Sequence, residues 1–206
     1  MGFYSRHILP AVINCACGAK PIRYQRRKIV PRAEGVVLEL GFGSGLNLAF
    51  YDPTKIERIY ALEPEEGMLA RARKAARGSP LPVKILPERA EDLSLPDASV
   101  DTVLVTFALC TIPDGRAALA GARRVLKPGG RLLFCEHGLA PDEKVQRAQR
   151  SIEPIWKHIG GGCHLTRDIP GLIRAGGFAI DELEMMYLPS TPRPLGYNYW
   201  GAAHAA

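Results

Sequence analysis

The sequence predicts an α/β protein built on a mostly parallel sheet with helices on both faces. Three observations carry that expectation. Short runs of branched apolar residues alternate with helical segments through the middle of the chain. The first such run ends in glycines, at the place where open α/β sheets bind their ligands. The 206 residues suffice for one good core, and no internal repeat or low-complexity segment interrupts them.

The elements follow in order. Arg6–Cys17 and Pro21–Val30 have helical character, and Pro21 suits a first helical turn. Val36–Leu40 (VVLEL) is short, branched and closed by glycine, the pattern of a buried strand. Leu46–Phe50 is expected to begin a helix, and Arg58–Leu62 (RIYAL) to form the second strand. Glu65–Arg77 carries its acids first and its bases last, which complements a helix dipole. Val83–Leu86 and Val100–Phe107 are the third and fourth strands. Asp114 is placed to cap a helix over Arg116–Leu126. KPGG then turns the chain into a fifth strand, Arg131–Cys135. Helices are expected over Asp142–Ile159, around Pro154, and over Asp168–Ala175, where Gly176 and Gly177 stop the second. Ala179–Tyr187 and Tyr197–His204 are the last strands.

The glycines of Leu38–Asn47 (LELGFGSGLN) read as a ligand loop. Glycine permits a tight turn and lets backbone approach a ligand with no Cβ in the way, and a helix beginning near Leu46 would aim free N–H groups at an anion. The order is G-x-G-x-G (Gly41, Gly43, Gly45), not the dinucleotide G-x-G-x-x-G, with Glu39 two residues ahead. Glu63 ends the second strand, where an acid accepts hydrogen bonds from ribose hydroxyls.

Four segments in order, VLELGFGSG, ALEPEEGMLARAR, AEDLSLPDASVDTVLVTFALCTIPD and ARRVLKPGGRLLFCEH, resemble the class I S-adenosylmethionine-dependent methyltransferases, including those of quinone pathways. The resemblance covers Val36–His137. It implies a Rossmann-like sheet of seven strands, mostly parallel with an antiparallel last strand. The methyltransferase domain would span residues 35–206, with residues 1–34 an N-terminal helical lid or extension. It also implies S-adenosylmethionine as cofactor and S-adenosylhomocysteine as product. Gly41, Gly43 and Gly45 would pass under the methionine part, with Asn47 beside them; Glu39 would help to hold its amino group, and Glu63, with Pro64, the ribose. Ala90 and Glu91 would border the adenine, and Thr106 and Phe107 complete the cofactor set. Where many relatives carry an aspartate before that alanine, this chain has Arg89.

FALCTIPD, CEHGLAP, PIWKHIGGGCHLTRD and GYNYWGAA resemble the methyltransferase-like thiol methyltransferases of animal membranes and their soluble bacterial relatives. Bacterial phospholipid N-methyltransferases resemble the first half of the chain. The implied reaction is methyl transfer to a small acceptor such as a thiol, or alternatively to phosphatidylethanolamine. A thiol needs little activation, because its pKa near 8.5 leaves some thiolate at neutral pH; an amine or phenol calls for a base. His137, at the end of the fifth strand beside Glu136, is the first candidate for base or acceptor positioning. His164, in a glycine-rich loop, is the second. Cys110 is expected near the methyl group, Phe107 and Trp156 as apolar walls, and Tyr4 with the first helix as a lid.

Net charge is +6, and Lys20–Arg32 contains no acid. Lys20, Arg23, Arg26, Arg27 and Lys28 are either a solvated helix face or a contact with anionic membrane. No apolar stretch approaches bilayer length, and Ile8–Ala19, broken by Pro10 and Asn14, lacks a signal-peptide layout. A cytoplasmic location is expected, peripheral to the membrane if that patch docks. The five cysteines lack a disulfide framework, and Cys15-x-Cys17 has no second pair at zinc spacing, so no metal is expected. No nucleic-acid recognition module is visible. The G-x-G-x-G order and LKPGG disfavour a nicotinamide-dependent oxidoreductase.

Overall fold

The computed structural model describes residues 9–206. Tyr4 and the expected first helical turn before Leu9 lie outside them. Two helices, α1 (Leu9–Cys17) and α2 (Lys20–Ile29), precede β1 (Gly35–Leu40) and β2 (Ile56–Leu62). Then come α3 (Glu66–Arg77), β3 (Val83–Leu86), β4 (Val100–Thr106), α4 (Gly115–Val125) and β5 (Leu126–His137). The chain ends with α5 (Glu143–Ile159), α6 (Ile169–Ala175), β6 (Phe178–Tyr187) and β7 (Tyr197–Ala205). The seven strands form one sheet in the order β3-β2-β1-β4-β5-β7-β6. The first five are mutually parallel, and β7 runs antiparallel to both β5 and β6. The α/β expectation therefore holds, antiparallel last strand included.

Period-two alternation sorts the strand side chains onto the two faces. Leu38, Val103, Val105, Leu132 and Phe134 join one buried cluster, with Leu119 of α4 and Ile173 of α6. Val37, Leu104, Leu133 and Cys135, one residue out of phase, join a second cluster with Ile29 and Val30 from the end of α2. The end of the N-terminal segment is thus built into the core, which fixes where α2 lies. Phe134 is wholly buried, so Phe134→Ala should cost about 3–5 kcal/mol of stability. A loss below about 1 kcal/mol in chemical denaturation would contradict this packing.

Two expected elements differ. No helix begins at Leu46: Leu48 N–H bonds to Gly45 O and Phe50 N–H to Asn47 O, so the segment is a run of three-residue turns. The Asn47 side chain is drawn inward to Glu39 and Thr106. The fifth strand starts at Leu126 and carries KPGG within it. Val100 pairs with Leu126 and Thr102 with Arg131, so KPGG bulges. Gly130 fits because a Cβ there would lie 2.8 Å from Asp101 O. The expected Asp114 cap forms, accepting from Ala117 N (2.9 Å), and Asp168 caps α6 in the same way, accepting from Gly171 N (3.0 Å).

Candidate active site

The carboxyl ends of the parallel strands β1, β2, β4 and β5 lie along one edge of the sheet, where open α/β sheets form their ligand crevice, and the glycine loop leaves β1 there. Gly41, Gly43 and Gly45 all have left-handed backbone, with φ of +73°, +59° and +77°. Their surroundings differ. A Cβ at Gly41 would sit 2.5 Å from Ala108 Cβ, and one at Gly45 would sit 2.7 Å from Ala75 Cβ. At Gly43 it would meet only Met68 Cε at 3.6 Å. Gly41 and Gly45 let neighbouring segments close in, whereas at Gly43 a Cβ would make only an ordinary contact with the end of a flexible side chain. Gly43 N–H donates to Glu63 Oε2 (2.7 Å) and Glu65 N–H to Glu63 Oε1 (2.9 Å). Burial raises the Glu63 pKa, and these two donors oppose the rise. Each oxygen keeps a lone pair for a further donor. Pro64 lies exposed on the rim, and Ala90 is buried. Glu91 accepts from Arg89 (3.0 Å) and from Asp114 N (3.4 Å), so Arg89 is paired sideways.

Beneath the glycines runs a buried polar network. Glu39 Oε1 accepts from Asn47 Nδ2 (2.9 Å) and Oε2 from Tyr51 Oη (2.6 Å). Asn47 and Thr106 also take Arg26 Nη1, at 2.5 and 2.6 Å. This corrects the assignment of Arg26 to an exposed basic face. Arg26 is 4% exposed, lies over the Phe107 ring at 5.2 Å, and its Nε is buried without a partner. The cause is helical periodicity: Arg26 shares the inward face of α2 with Ile22 and Ile29.

Burial pushes the Glu39 carboxyl up to about 7, against the Tyr51 and Asn47 hydrogen bonds. The folded protein therefore holds that proton at higher pH than the unfolded chain. The associated stabilisation is complete below the ordinary value of 4.5 and is lost as pH rises to about 7. Between those limits Glu39→Gln should escape on the order of 2–3 kcal/mol of the wild-type decline. A denaturation-versus-pH series would refute this if the two curves stayed parallel.

The acceptor end is made of loops. Phe107 leaves β4 with φ of +54°, strained for a side chain with a Cβ, and its N–H bonds to Cys135 O (2.9 Å). Glu136, wholly buried, accepts from the N–H groups of Ala108 (2.7 Å), Leu109 (3.0 Å) and Cys110 (3.4 Å). Arg167 donates to Leu109 O and, at 2.6 Å, to Ile112 O. His137 is buried with Cys163 Sγ 3.7 Å from its Nε2. Burial lowers the His137 pKa, but the Cys163 and Glu136 charges more than offset this and leave it raised. His164 pairs with Glu153 at 3.4 Å, and its backbone N–H donates to Cys110 O (2.8 Å). The two histidines are therefore on adjoining loops, while His158 Nδ1 lies against Pro154 O on the exposed side of α5. Helix α1 roofs both halves: Asn14 accepts from Ser44 of the glycine loop, and a Cβ at Gly161 would lie 2.8 Å from Ile13 Cδ1.

Residues 38–134 match the family model described as "Methyltransferase domain". A thiol S-methyltransferase of Rattus norvegicus is 36% identical over 82% of this chain and 70% of its own length. The chain belongs to the S-adenosylmethionine-dependent methyltransferases. The human thiol S-methyltransferase of the same name is 34% identical over 81% of this methyltransferase and 69% of its own length. A phosphatidylethanolamine N-methyltransferase of Cereibacter sphaeroides is 33% identical over 50% of this chain and 51% of its own. A Haloferax volcanii methyltransferase, solved with its activator, shares the fold at a TM-score of 0.72. It is 19% identical, with 98% of this chain and 96% of that one covered.

Sequence reasoning missed three parts of this methyltransferase. Tyr51 and Arg26 join the Glu39 network, and only the α2 spacing signalled Arg26. Glu136 anchors the loop after β4. Cys110, His137 and Cys163 meet although they lie far apart in sequence.

Proposed function

We propose that this methyltransferase transfers the methyl group of S-adenosylmethionine to a small thiol. The observation that carries the acceptor is the similarity to thiol S-methyltransferases over four-fifths of the chain, including the segments that build the acceptor loops. The residues present fit the cofactor. Arg26 has an orphaned, buried Nε–H beside the Asn47 and Thr106 network, suited to a carboxylate. Glu63 retains acceptor capacity for ribose hydroxyls, and Gly43 leaves room for the methionine part. Asn47 and Thr106 orient Arg26, and Glu39 orients Asn47. Pro64, Ala90 and Glu91 border the nucleoside end, with Phe107 toward the acceptor.

When bound, the cofactor supplies an electrophilic methyl group on a sulfonium. The chain then has to place a nucleophile in line with it, so positioning does most of the work. The acidic groups nearby already have partners: Glu136 holds three backbone N–H groups, and Glu153 holds Thr166 N at 2.7 Å. That arrangement suits an acceptor that ionises by itself, as a thiol does. The test is methyl transfer from labelled S-adenosylmethionine to a small alkyl thiol. Label on the thiol is expected; cofactor binding by calorimetry with no labelled thiol would refute the acceptor.

A second reading, methylation of a lipid amine at a membrane surface, draws on two surface features. Lys20, Arg23 and Arg27 of α2 are exposed beside Tyr24, which is 63% exposed. Ile152, Ile155 and Ile159 form an exposed apolar stripe on α5. Lys28 contributes less, because it lies over Trp200 at 4.9 Å. Among the described residues no helix is long and apolar enough to cross a membrane. On this reading the protein floats with anionic liposomes containing phosphatidylethanolamine and labels them, and Arg23→Glu with Arg27→Glu abolishes flotation. Flotation unchanged by the charge reversal would remove α2 as the docking element.

A further inference from the structure

Cys110, His137 and Cys163 place two sulfurs and an imidazole nitrogen together, all within 4.8 Å of one another and all buried. They come from three separate segments: the loop after β4, the end of β5, and the loop after α5. The fold holds each of them in place. Glu136 fixes the backbone of Cys110 (3.4 Å). His137 is locked into the β5 ladder opposite Asn198. Gly161 and Gly162, with φ of +63° and +87°, turn the third loop back, and His164 N–H ties it to Cys110 O at 2.8 Å. Trp156 Nε1–H is buried beside Cys163. None of the three is among the residues assigned to the cofactor.

We propose that Cys110, His137 and Cys163 form a binding site for a zinc-class divalent cation. The donor set is soft and borderline, two thiolates and one imidazole, which suits zinc in tetrahedral geometry. Tetrahedral zinc holds sulfur and nitrogen ligands about 3.5–3.8 Å apart. Cys163 Sγ lies 3.8 and 3.7 Å from His137 Nδ1 and Nε2, so the spacing is right and a rotation of the imidazole has to aim one nitrogen at the shared ion while Cys110 draws in. Three protein ligands leave a fourth position, as in sites where zinc binds an exchangeable ligand. An incoming small thiol would take that position as its thiolate and release its proton. This last step rests on the thiol reading of the acceptor; the cation site itself does not.

The test uses the full chain, stripped with chelator and titrated with cobalt(II) as a spectroscopic substitute for zinc. One equivalent should bind, with the near-ultraviolet sulfur-to-cobalt charge-transfer band and the intense visible bands of a tetrahedral site. Cys110→Ser and Cys163→Ser should each weaken binding at least tenfold, while Cys15→Ser, at an exposed cysteine of α1, leaves it unchanged. Circular dichroism and S-adenosylmethionine calorimetry verify that each variant is folded. Absence of stoichiometric binding, or binding that survives the Cys110→Ser/Cys163→Ser double variant, overturns the site. A Cys110–Cys163 disulfide that forms in air although zinc is supplied in excess also overturns it. Adding a small alkyl thiol should then shift the cobalt bands, and unchanged bands at saturating thiol would remove the fourth-position role. If the bands form and shift but no methyl reaches the thiol, it is the proposed function that fails, not the cation site.

Discussion

Glu63→Ala should weaken S-adenosylmethionine binding by one to two orders of magnitude while leaving the fold intact. The carboxylate stands at the end of β2 and accepts from Gly43 N–H and Glu65 N–H at 2.7 and 2.9 Å. Those two bonds set its direction, and its remaining lone pairs are the ones a ribose would use. A hydrogen bond to a charged group contributes about 1.5–3 kcal/mol, which corresponds to the stated range. The variant also frees two backbone donors at the crevice edge, where water can replace the carboxylate, so the stability cost should stay near 1 kcal/mol. Glu63→Gln keeps an acceptor and should fall between wild type and Glu63→Ala. Calorimetric titration reads all three. An unchanged dissociation constant for Glu63→Ala would detach the residue from the cofactor.

Arg26→Met should be comparably damaging, through charge and orientation together. The guanidinium joins Asn47 and Thr106 across the crevice floor and partly balances Glu39 below. Its buried Nε–H is the donor we assign to the cofactor carboxylate. Loss of a buried charged partner of this kind costs on the order of 2–4 kcal/mol of binding, a thirtyfold or greater fall in affinity. Arg26→Lys should not restore it, because a single ammonium cannot reach Asn47, Thr106 and a carboxylate with one planar fork. Liposome association, in contrast, should be indifferent to Arg26→Met. If Arg26→Met altered vesicle flotation and spared cofactor affinity, its placement in the crevice would be wrong.

What the sequence made legible follows from local physics. The strands were readable because VVLEL, RIYAL and VDTVLVTF are branched apolar runs with turn residues at their ends. The glycine loop was readable because its φ values leave few other residues possible. The helix expected at Leu46 failed because Asn47 had a stronger interest in Glu39 and Thr106 than in a helical register, a tertiary contact that no local pattern displays. Arg26 hid inside a run of basic residues, and only its spacing from Ile22 and Ile29 set it apart. His137 was identified as a candidate from its strand end, but its neighbours Cys110 and Cys163 are brought to it by the order of β4, β5 and the loop after α5. A cluster assembled across a sheet has no sequence spacing to read.

Helix α1 touches the glycine loop through Asn14 and the acceptor loop through Ile13. One element therefore borders both loops. Whatever displaces it at one end changes the free energy of binding at the other, and by reciprocity the two effects are equal. On the proposed function, cofactor affinity measured with and without the thiol reads that coupling directly, and the helix that borders both loops is where a change in it would originate.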